Sequence, residues 1–114
     1  MGKATTNGLN LYRDRLLGQY DQMRIGTGTT AETEADADLD TPLLTKSATQ
    51  EAGGNGEFVS VMRINGLEGN GSTITEAGDL KAGVLMDRHV FAGIVKTSAI
   101  EAEFRLKTKF RNAV

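Results

Sequence analysis

Residues 100–110 alternate strictly between apolar and charged or polar side chains, and no other feature constrains the fold as strongly. In an extended segment, Phe104 and Leu106 lie on one face, while Glu103 and Arg105 lie on the other. A period of two is typical of a β-strand with one face on a core and the other in water. A helix would scatter the same side chains around its circumference. The sequence therefore predicts a terminal strand that pairs within a sheet.

Composition predicts one small, turn-rich domain spanning residues 1–114. Of these 114 residues 39% are hydrophobic and 14 are glycine, which suits short strands joined by turns. A net charge of −2 gives no field that would attract nucleic acid or an anionic membrane. The absence of cysteine excludes disulfides and thiolate chemistry. No apolar run approaches the roughly 20 residues of a membrane-spanning helix, and the polar N-terminus lacks a signal-peptide core. We therefore expect neither a membrane nor a nucleic-acid partner.

The N-terminal segment predicts a polar arm at residues 1–8 followed by a short helix at 9–17. Apolar residues recur there at helical spacing, with Asn7 as the expected cap and Gly18 as the expected stop. A helix of about two turns persists only when it packs on something. We expect it to cover an open end or edge of the sheet, and docking on another chain is the alternative.

Residues 27–56 predict a stretch that is largely loop. A strand at 20–25 ends in a glycine- and threonine-rich break, and acidic residues then occupy every second position from Glu32 to Asp40. Residues 42–44 are interpreted as a short return to the core. Residues 46–56 are again interpreted as loop, because they end in a glycine-rich turn.

The remaining segments predict further strands. Residues 57–64 carry apolar side chains on both faces, which favours a central or interface position over a solvated edge. A short strand at 73–77 precedes a turn at 78–83, and a strand region at 84–95 is expected to bend or bulge at Gly93. About six short strands with turns between them favour a mainly β fold, namely an antiparallel β-sandwich or small barrel with one short N-terminal helix.

No motif predicts catalysis or a cofactor. The glycines at 26 and 28 follow a predicted strand, as in a dinucleotide fingerprint, but an acidic segment without helical period comes next, where phosphate needs a helix N-terminus. His89 is the only histidine and has no nucleophile motif in the sequence, so we interpret it as structural or exposed. The expectation is a non-enzymatic protein without a cofactor.

The acidic segment predicts no strong metal site. Asp36, Asp38 and Asp40 resemble the start of a calcium loop, but its glycine position holds Thr41 and its final glutamate position holds Ser47. A weak cation site from paired carboxylates stays open as an alternative to a solvated loop.

Charge patterning points instead to protein contacts. The charged face of the terminal strand is acidic first and basic last, and the loop with the acidic residues at 32–40 carries the opposite sign to the basic end. We expect a homo-oligomer, in which the loop of one subunit could lie on the strand end of the next, and two solvated patches are the alternative. The residues expected to make contacts are Tyr12, Arg13, Arg15, Glu34, Asp36, Asp38, Arg105, Lys107 and Lys109.

Three segments, IGTGTT at 25–30, TITEAG at 73–78 and VFAGIVKT at 90–97, followed by the alternating strand, resemble small structural proteins of tailed bacteriophages. The resemblance spans roughly residues 8–110. The chain departs from that pattern at Asp79, where a more apolar continuation is expected, and it has no fibrous extension.

The resemblance implies a virion protein that is made in the host bacterial cytoplasm, folds as a β-sandwich and performs no catalysis. A self-contained domain suits a capsid decoration or cement protein that contacts the major capsid protein. Attachment of fibres at the tail, neck or baseplate is the alternative. A small cellular binding module is the second alternative, although few exposed aromatic residues are available for sugar binding.

Overall fold

The computed structural model describes residues 2–112, which form one helix and eight strands. In chain order they are α1 (Thr6–Leu16), β1 (Gln22–Gly26), β2 (Pro42–Ser47), β3 (Thr49–Ala52), β4 (Glu57–Ile64), β5 (Thr73–Lys81), β6 (Val84–Leu85), β7 (His89–Val95) and β8 (Ala102–Lys109).

The strands form two antiparallel sheets. The larger sheet has the order β2-β1-β5-β6, with β7 also paired to β5, and the smaller has the order β3-β4-β8. The prediction of a mainly β, antiparallel fold with one short helix is therefore confirmed. Within that class, the choice between a sandwich and a small barrel stays a prediction.

The terminal strand and the predicted central strand pair with each other. β8 runs antiparallel to β4 along its whole length, from Glu57 opposite Lys109 to Ile64 opposite Ala102. Phe104 and Leu106 are buried whereas Glu103 and its charged neighbours are not, as the alternation predicted. β4 lies between β3 and β8, so its central position is also confirmed.

The stretch predicted as largely loop at 27–56 contains two strands. Residues 27–41 lack strand structure, as predicted. β2 begins at Pro42, where a short return to the core was predicted, but it extends through Ser47, and β3 occupies part of the segment predicted as loop at 46–56. These strands pair with β1 and β4, and most of their side chains are polar and exposed or half-buried. The prediction failed because an outer strand needs little apolar content when its partner supplies the core.

β5 is longer than predicted. It continues through the expected turn at 78–83 as far as Lys81, and every residue between its two ends is buried. Gly78 and Asp79 are typical of turns, but in β5 they lie opposite Arg24 and Met23 of β1. The predicted strand region at 84–95 is in turn split into β6 and β7. In the β5–β7 ladder, Ile74 pairs with Ile94 and Glu76 pairs with Val90, so the extra residues of the irregularity are 91–93 of β7. The predicted bend or bulge at Gly93 is therefore confirmed.

The helix begins earlier than predicted. Thr5, not Asn7, is its N-cap, and the Thr5 side chain accepts from the Gly8 N–H at 3.1 Å. Helical residues therefore replace part of the arm predicted at 1–8. Gly18 has φ +82°, so the predicted stop at this glycine is confirmed.

The hydrophobic core draws on both sheets. Met23, Ile25 and Ile74 from the larger sheet pack in one cluster with Met62 and Phe104 from the smaller. Fully buried aliphatic and aromatic side chains each contribute about 1.5–3 kcal/mol relative to exposure, so this cluster is the main source of stability.

Candidate functional site

The most strongly connected polar group in the described chain is the carboxylate of Glu76, in the middle of β5. Its side chain is fully buried and accepts backbone N–H bonds from Gly28 at 2.6 Å, Asp40 at 2.8 Å and Thr41 at 2.8 Å. Burial alone would raise the pKa of Glu76, but the surrounding donors outweigh this effect and lower that pKa. Glu76 therefore stays ionised and holds both ends of the loop at residues 27–41, which we call the acidic loop.

Arg88 completes this network from the segment between β6 and β7. Its Nε donates to Glu76 Oε1 at 3.0 Å, and its two terminal nitrogens donate to Asp36 at 3.0 Å and to the Thr30 carbonyl at 2.8 Å. The Arg88 side chain is only 3% exposed. Because Glu76 and Asp36 balance its charge, the guanidinium is buried without an unpaired charge. We call Glu76, Arg88 and Asp36 the buried ion network.

The same network explains the two glycines of the segment IGTGTT at 25–30. A Cβ on Gly28 would collide with a Glu76 carboxylate oxygen and with the Asp40 side chain, and a Cβ on Gly26 would collide with the Thr41 carbonyl. The Thr75 hydroxyl also donates to the Gly28 carbonyl at 2.6 Å. The backbone must come this close for its N–H groups to reach Glu76, so the two glycines serve this close approach.

A second polar cluster lies on the opposite face of β5. Asp79 is fully buried, and neither of its carboxyl oxygens has a hydrogen-bond partner in the described part of the chain. Burial, and then the neighbouring Asp87 carboxylate, raise the pKa of Asp79 to about 8. Ser60 of β4 also lies beside it. A protonated Asp79 can donate to Asp87, which accounts for two acids held side by side.

His89 extends this second cluster towards solvent. Its Nε2 lies 3.5 Å from Asp87 Oδ1, and the His89 side chain is 41% exposed. The neighbouring Asp87 carboxylate raises the pKa of His89. Asp87 Oδ1 also accepts the Asp79 backbone N–H at 2.9 Å. The expected structural or exposed histidine is thus a neighbour of an acid pair.

The segment VFAGIVKT at 90–97 contains a buried lysine. Lys96 is fully buried, and its Nζ donates to Asn70 Oδ1 and to the Thr97 carbonyl, both at 2.8 Å. Backbone bonds between Lys96 and the residues Gly71 and Ser72 complete the contact. Lys96 therefore fixes the glycine-rich connection between β4 and β5.

The predicted contact residues of the helix do not behave alike. Tyr12 is 56% exposed and meets Phe110 edge-to-face with ring centroids 6.4 Å apart. Arg13 faces inward and donates to the Glu57 carbonyl at 3.2 Å. Arg15 is exposed and makes no hydrogen bond or ion pair within residues 2–112. The helix is therefore tied to the start of β4, and Tyr12 and Arg15 remain available on its surface.

The acidic loop uses two of its three predicted contact residues internally. Asp36 pairs with Arg88, and Asp38 pairs with Arg24 of β1 at 2.8 Å. The Thr33 N–H and the Arg88 guanidinium lower the pKa of Asp36. Glu34 is exposed and has no such partner among the described residues. The structure gives these acids an intramolecular role that the sequence did not indicate.

The basic end of β8 is likewise partly paired within the chain. Arg105 pairs with Glu51 at 2.6 Å and with Glu103 at 2.5 Å, and Lys107 pairs with Glu57 at 3.2 Å. Lys109 is exposed and makes no ion pair in the described part of the chain. These ion pairs, of which Arg105–Glu103 lies within β8, are on the solvent face of the smaller sheet, where each contributes little to stability.

Two clefts open at the surface. One, of about 470 Å³, lies between the acidic loop and the β6–β7 segment and is lined by Glu32, Asp36, Met86 and Arg88. The other, of about 430 Å³, lies between β7 and β8.

Within residues 2–112 no three acidic or histidine side chains are grouped as a metal site would require, so the weak cation site predicted for the acidic loop gains no support. The described helix is too short to cross a membrane.

Sequence reasoning missed Glu76, Arg88 and Asp79. Glu76 and Asp79 are acidic residues inside a segment of apolar or turn-forming neighbours, and that contrast was the available signal. Arg88 lies between Asp87 and His89 and has no such local signal. Compared with models of protein families and with curated protein sequences, the chain gives no match.

Proposed function

We propose that the chain is a non-enzymatic structural protein of a tailed-phage virion, a capsid decoration or cement protein that binds the assembled shell. The observation that carries this proposal is the buried ion network. Glu76 of the segment at 73–78 accepts the backbone N–H of Gly28 from the segment at 25–30, so two of the segments that carry the resemblance contact each other in the fold. Residues that serve architecture instead of chemistry are what a structural protein requires.

The network gives such a protein a rigid surface. Residues 27–41 lack regular strand structure, yet Glu76 and Arg88 bind this loop at Gly28, Thr30, Asp36, Asp40 and Thr41. A loop that is ordered before binding loses less conformational entropy on association. The protein then stabilises the shell by mass action, because it binds the assembled state in preference to free subunits.

The test uses heads of a tailed phage that encodes this chain, prepared from a mutant that lacks the gene. Purified chain is added, and binding is followed by co-sedimentation and by the temperature at which the heads release DNA. We expect saturable binding and a higher release temperature. Binding to isolated tails or baseplates alone would overturn decoration in favour of fibre attachment. Binding to neither would overturn a virion role and favour a cellular binding module.

A charge-reversal pair tests which surface faces the shell. Lys107→Glu with Lys109→Glu reverses the basic end of β8 and is expected to weaken head binding and its dependence on salt. Lys3→Glu with Lys81→Glu makes the same change of charge at two exposed positions elsewhere and serves as the control. Equal binding by both double variants would exclude an electrostatic role for the strand end.

A further inference from the structure

β8 is an edge strand whose outer backbone groups have no partner among the described residues. The Phe110 N–H donates to the Gly56 carbonyl at 2.8 Å, and the β4–β8 register continues without a break from there. Because backbone groups alternate in direction along a strand, even-numbered residues of β8 bond to β4 and odd-numbered ones point away. Glu103, Arg105 and Lys107 therefore present open N–H and C=O groups along this edge.

An apolar groove runs beside that edge. The cleft of about 430 Å³ between β7 and β8 is lined by Phe91, Ile94, Phe104 and Leu106 among others. Ile94 of β7, which pairs only with β5 among the described strands, is 41% exposed. A strand added to β8 would place alternate side chains over this groove and the others in water. The occupant must therefore alternate apolar and charged residues, as β8 itself does.

The charge order of β8 is complementary to itself in antiparallel pairing. If the two-fold axis passes through Phe104, Glu103 lies opposite Arg105 of a second copy and Glu101 lies opposite Lys107 of the second copy. Moving the axis to Arg105 would set two arginines against each other, and moving it to Glu103 would set two glutamates against each other. A slip of one residue between the two strands would turn the apolar face of the added strand towards solvent. This register thus pairs Glu103 with Arg105, and Glu101, which directly precedes β8, with Lys107, whereas Lys109 lies opposite Ala99.

We propose that two copies of this chain associate through antiparallel pairing of their β8 edges, with Phe104 of each copy at the two-fold axis. The pairing joins the two smaller sheets into one continuous sheet in the order β3-β4-β8-β8-β4-β3. It satisfies the open backbone groups, covers the apolar groove and matches acidic with basic side chains. This inference concerns the isolated chain and does not depend on the proposed function, so a failure of either is seen separately.

The first test exchanges charges across the axis. In a homodimer, Glu103→Arg sets arginine against arginine and Arg105→Glu sets glutamate against glutamate, so each variant is expected to dimerise roughly tenfold more weakly or worse. An equimolar mixture of the two restores both unlike pairs and is expected to form a heterodimer. Mass and dissociation constant are measured by analytical ultracentrifugation. A wild-type monomer at all concentrations, or a mixture no tighter than either variant alone, would overturn the proposal.

The second test removes one outward N–H group. Arg105→Pro deletes a donor that points away from β4, so the internal ladder is retained while the pairing between copies is interrupted. Ala52→Pro is the matched control, because Ala52 is exposed and its N–H points outward at the opposite edge of the same sheet. We expect only Arg105→Pro to yield a folded monomer, with circular dichroism reporting folding. Association lost only in Ala52→Pro would assign the interface to β3 instead.

Discussion

Arg88 donates to Glu76 over 3.0 Å with the two side chains 3% and 0% exposed, and this buried pair fixes the acidic loop over one face of β5. A buried ion pair often adds little net stability, because desolvation of both charges offsets their attraction. Here the carboxylate also binds three backbone N–H groups, which have no other partner near the loop. The pair therefore determines the loop conformation more than it raises the stability of the whole fold.

Glu76→Gln is expected to destabilise the protein by roughly 3 kcal/mol or more, because Arg88 loses its buried counter-charge and the new amide N–H₂ faces donors. Hydrogen exchange should speed up first at residues 27–41. The measurement is urea denaturation combined with exchange by mass spectrometry. Glu34→Gln, at an exposed position in the same loop, should change the free energy of unfolding by no more than about 0.5 kcal/mol.

A double variant distinguishes loss of the ion pair from a general failure to fold. Glu76→Gln with Arg88→Met removes both charges, so it should recover part of the stability that Glu76→Gln loses. Additive losses in the double variant would mean that the two side chains act independently.

Gly28→Ala is expected to cost about 2 kcal/mol or more, because the added methyl group meets Glu76 and Asp40 and forces the loop backbone away from the carboxylate. Thr29→Ala changes the next, exposed residue and should be nearly neutral. Thermal unfolding of the two variants checks this directly. Equal melting temperatures would show that the loop moves aside without loss of the Glu76 contacts.

Periodicity predicted the parts of the fold in which one strand face is apolar. β4 and β8 were anticipated within one or two residues, because Phe58, Met62, Phe104 and Leu106 repeat with a period of two. β5 was predicted too short, because Asp79 and Gly78 look like turn residues when only neighbours in sequence are considered. Their burial depends on β1, Ser60 and the acidic loop, which are distant in sequence.

The candidate site was less predictable than the fold for the same reason. The sequence places Asp36 and Asp38 in an acidic run, and nothing local indicates that Arg88 and Arg24 bind them. Long-range pairing of opposite charges has no periodic signature. The acidic run was therefore interpreted as a surface that awaits a partner, whereas part of it is matched within the chain.

Arg13→Ala is expected to lower the free energy of unfolding by about 1–2 kcal/mol, because Arg13 is 13% exposed and bonds the carbonyl of Glu57 at the start of β4. Arg15→Ala, on the exposed side of the same helix, should stay within about 0.5 kcal/mol of the wild type. Urea denaturation measures both. If the two variants unfold alike, the helix is not held by Arg13, and its contact with a partner becomes the better explanation for this residue.

Asp79→Asn is expected to make stability less dependent on pH. Burial and then Asp87 raise the pKa of Asp79 from 3.8 to about 8, so the folded state holds a proton there that the unfolded state has released. The stability that this proton confers is present below about pH 4 and is lost as the pH rises towards about 8, by at most about 1.4 kcal/mol per pH unit. His89, whose pKa is also raised, changes stability in the same direction.

Asparagine imitates the protonated acid, because its N–H₂ group donates to Asp87 at every pH. Chemical denaturation from pH 5 to pH 9 should therefore show the variant gaining on the wild type as the pH rises and exceeding it above about pH 8. Glu34→Gln removes a carboxylate at an exposed position and should run parallel to the wild type over the same range. Parallel curves for Asp79→Asn and the wild type would instead mean that Asp79 is already ionised in the folded protein, with its charge balanced by a cation.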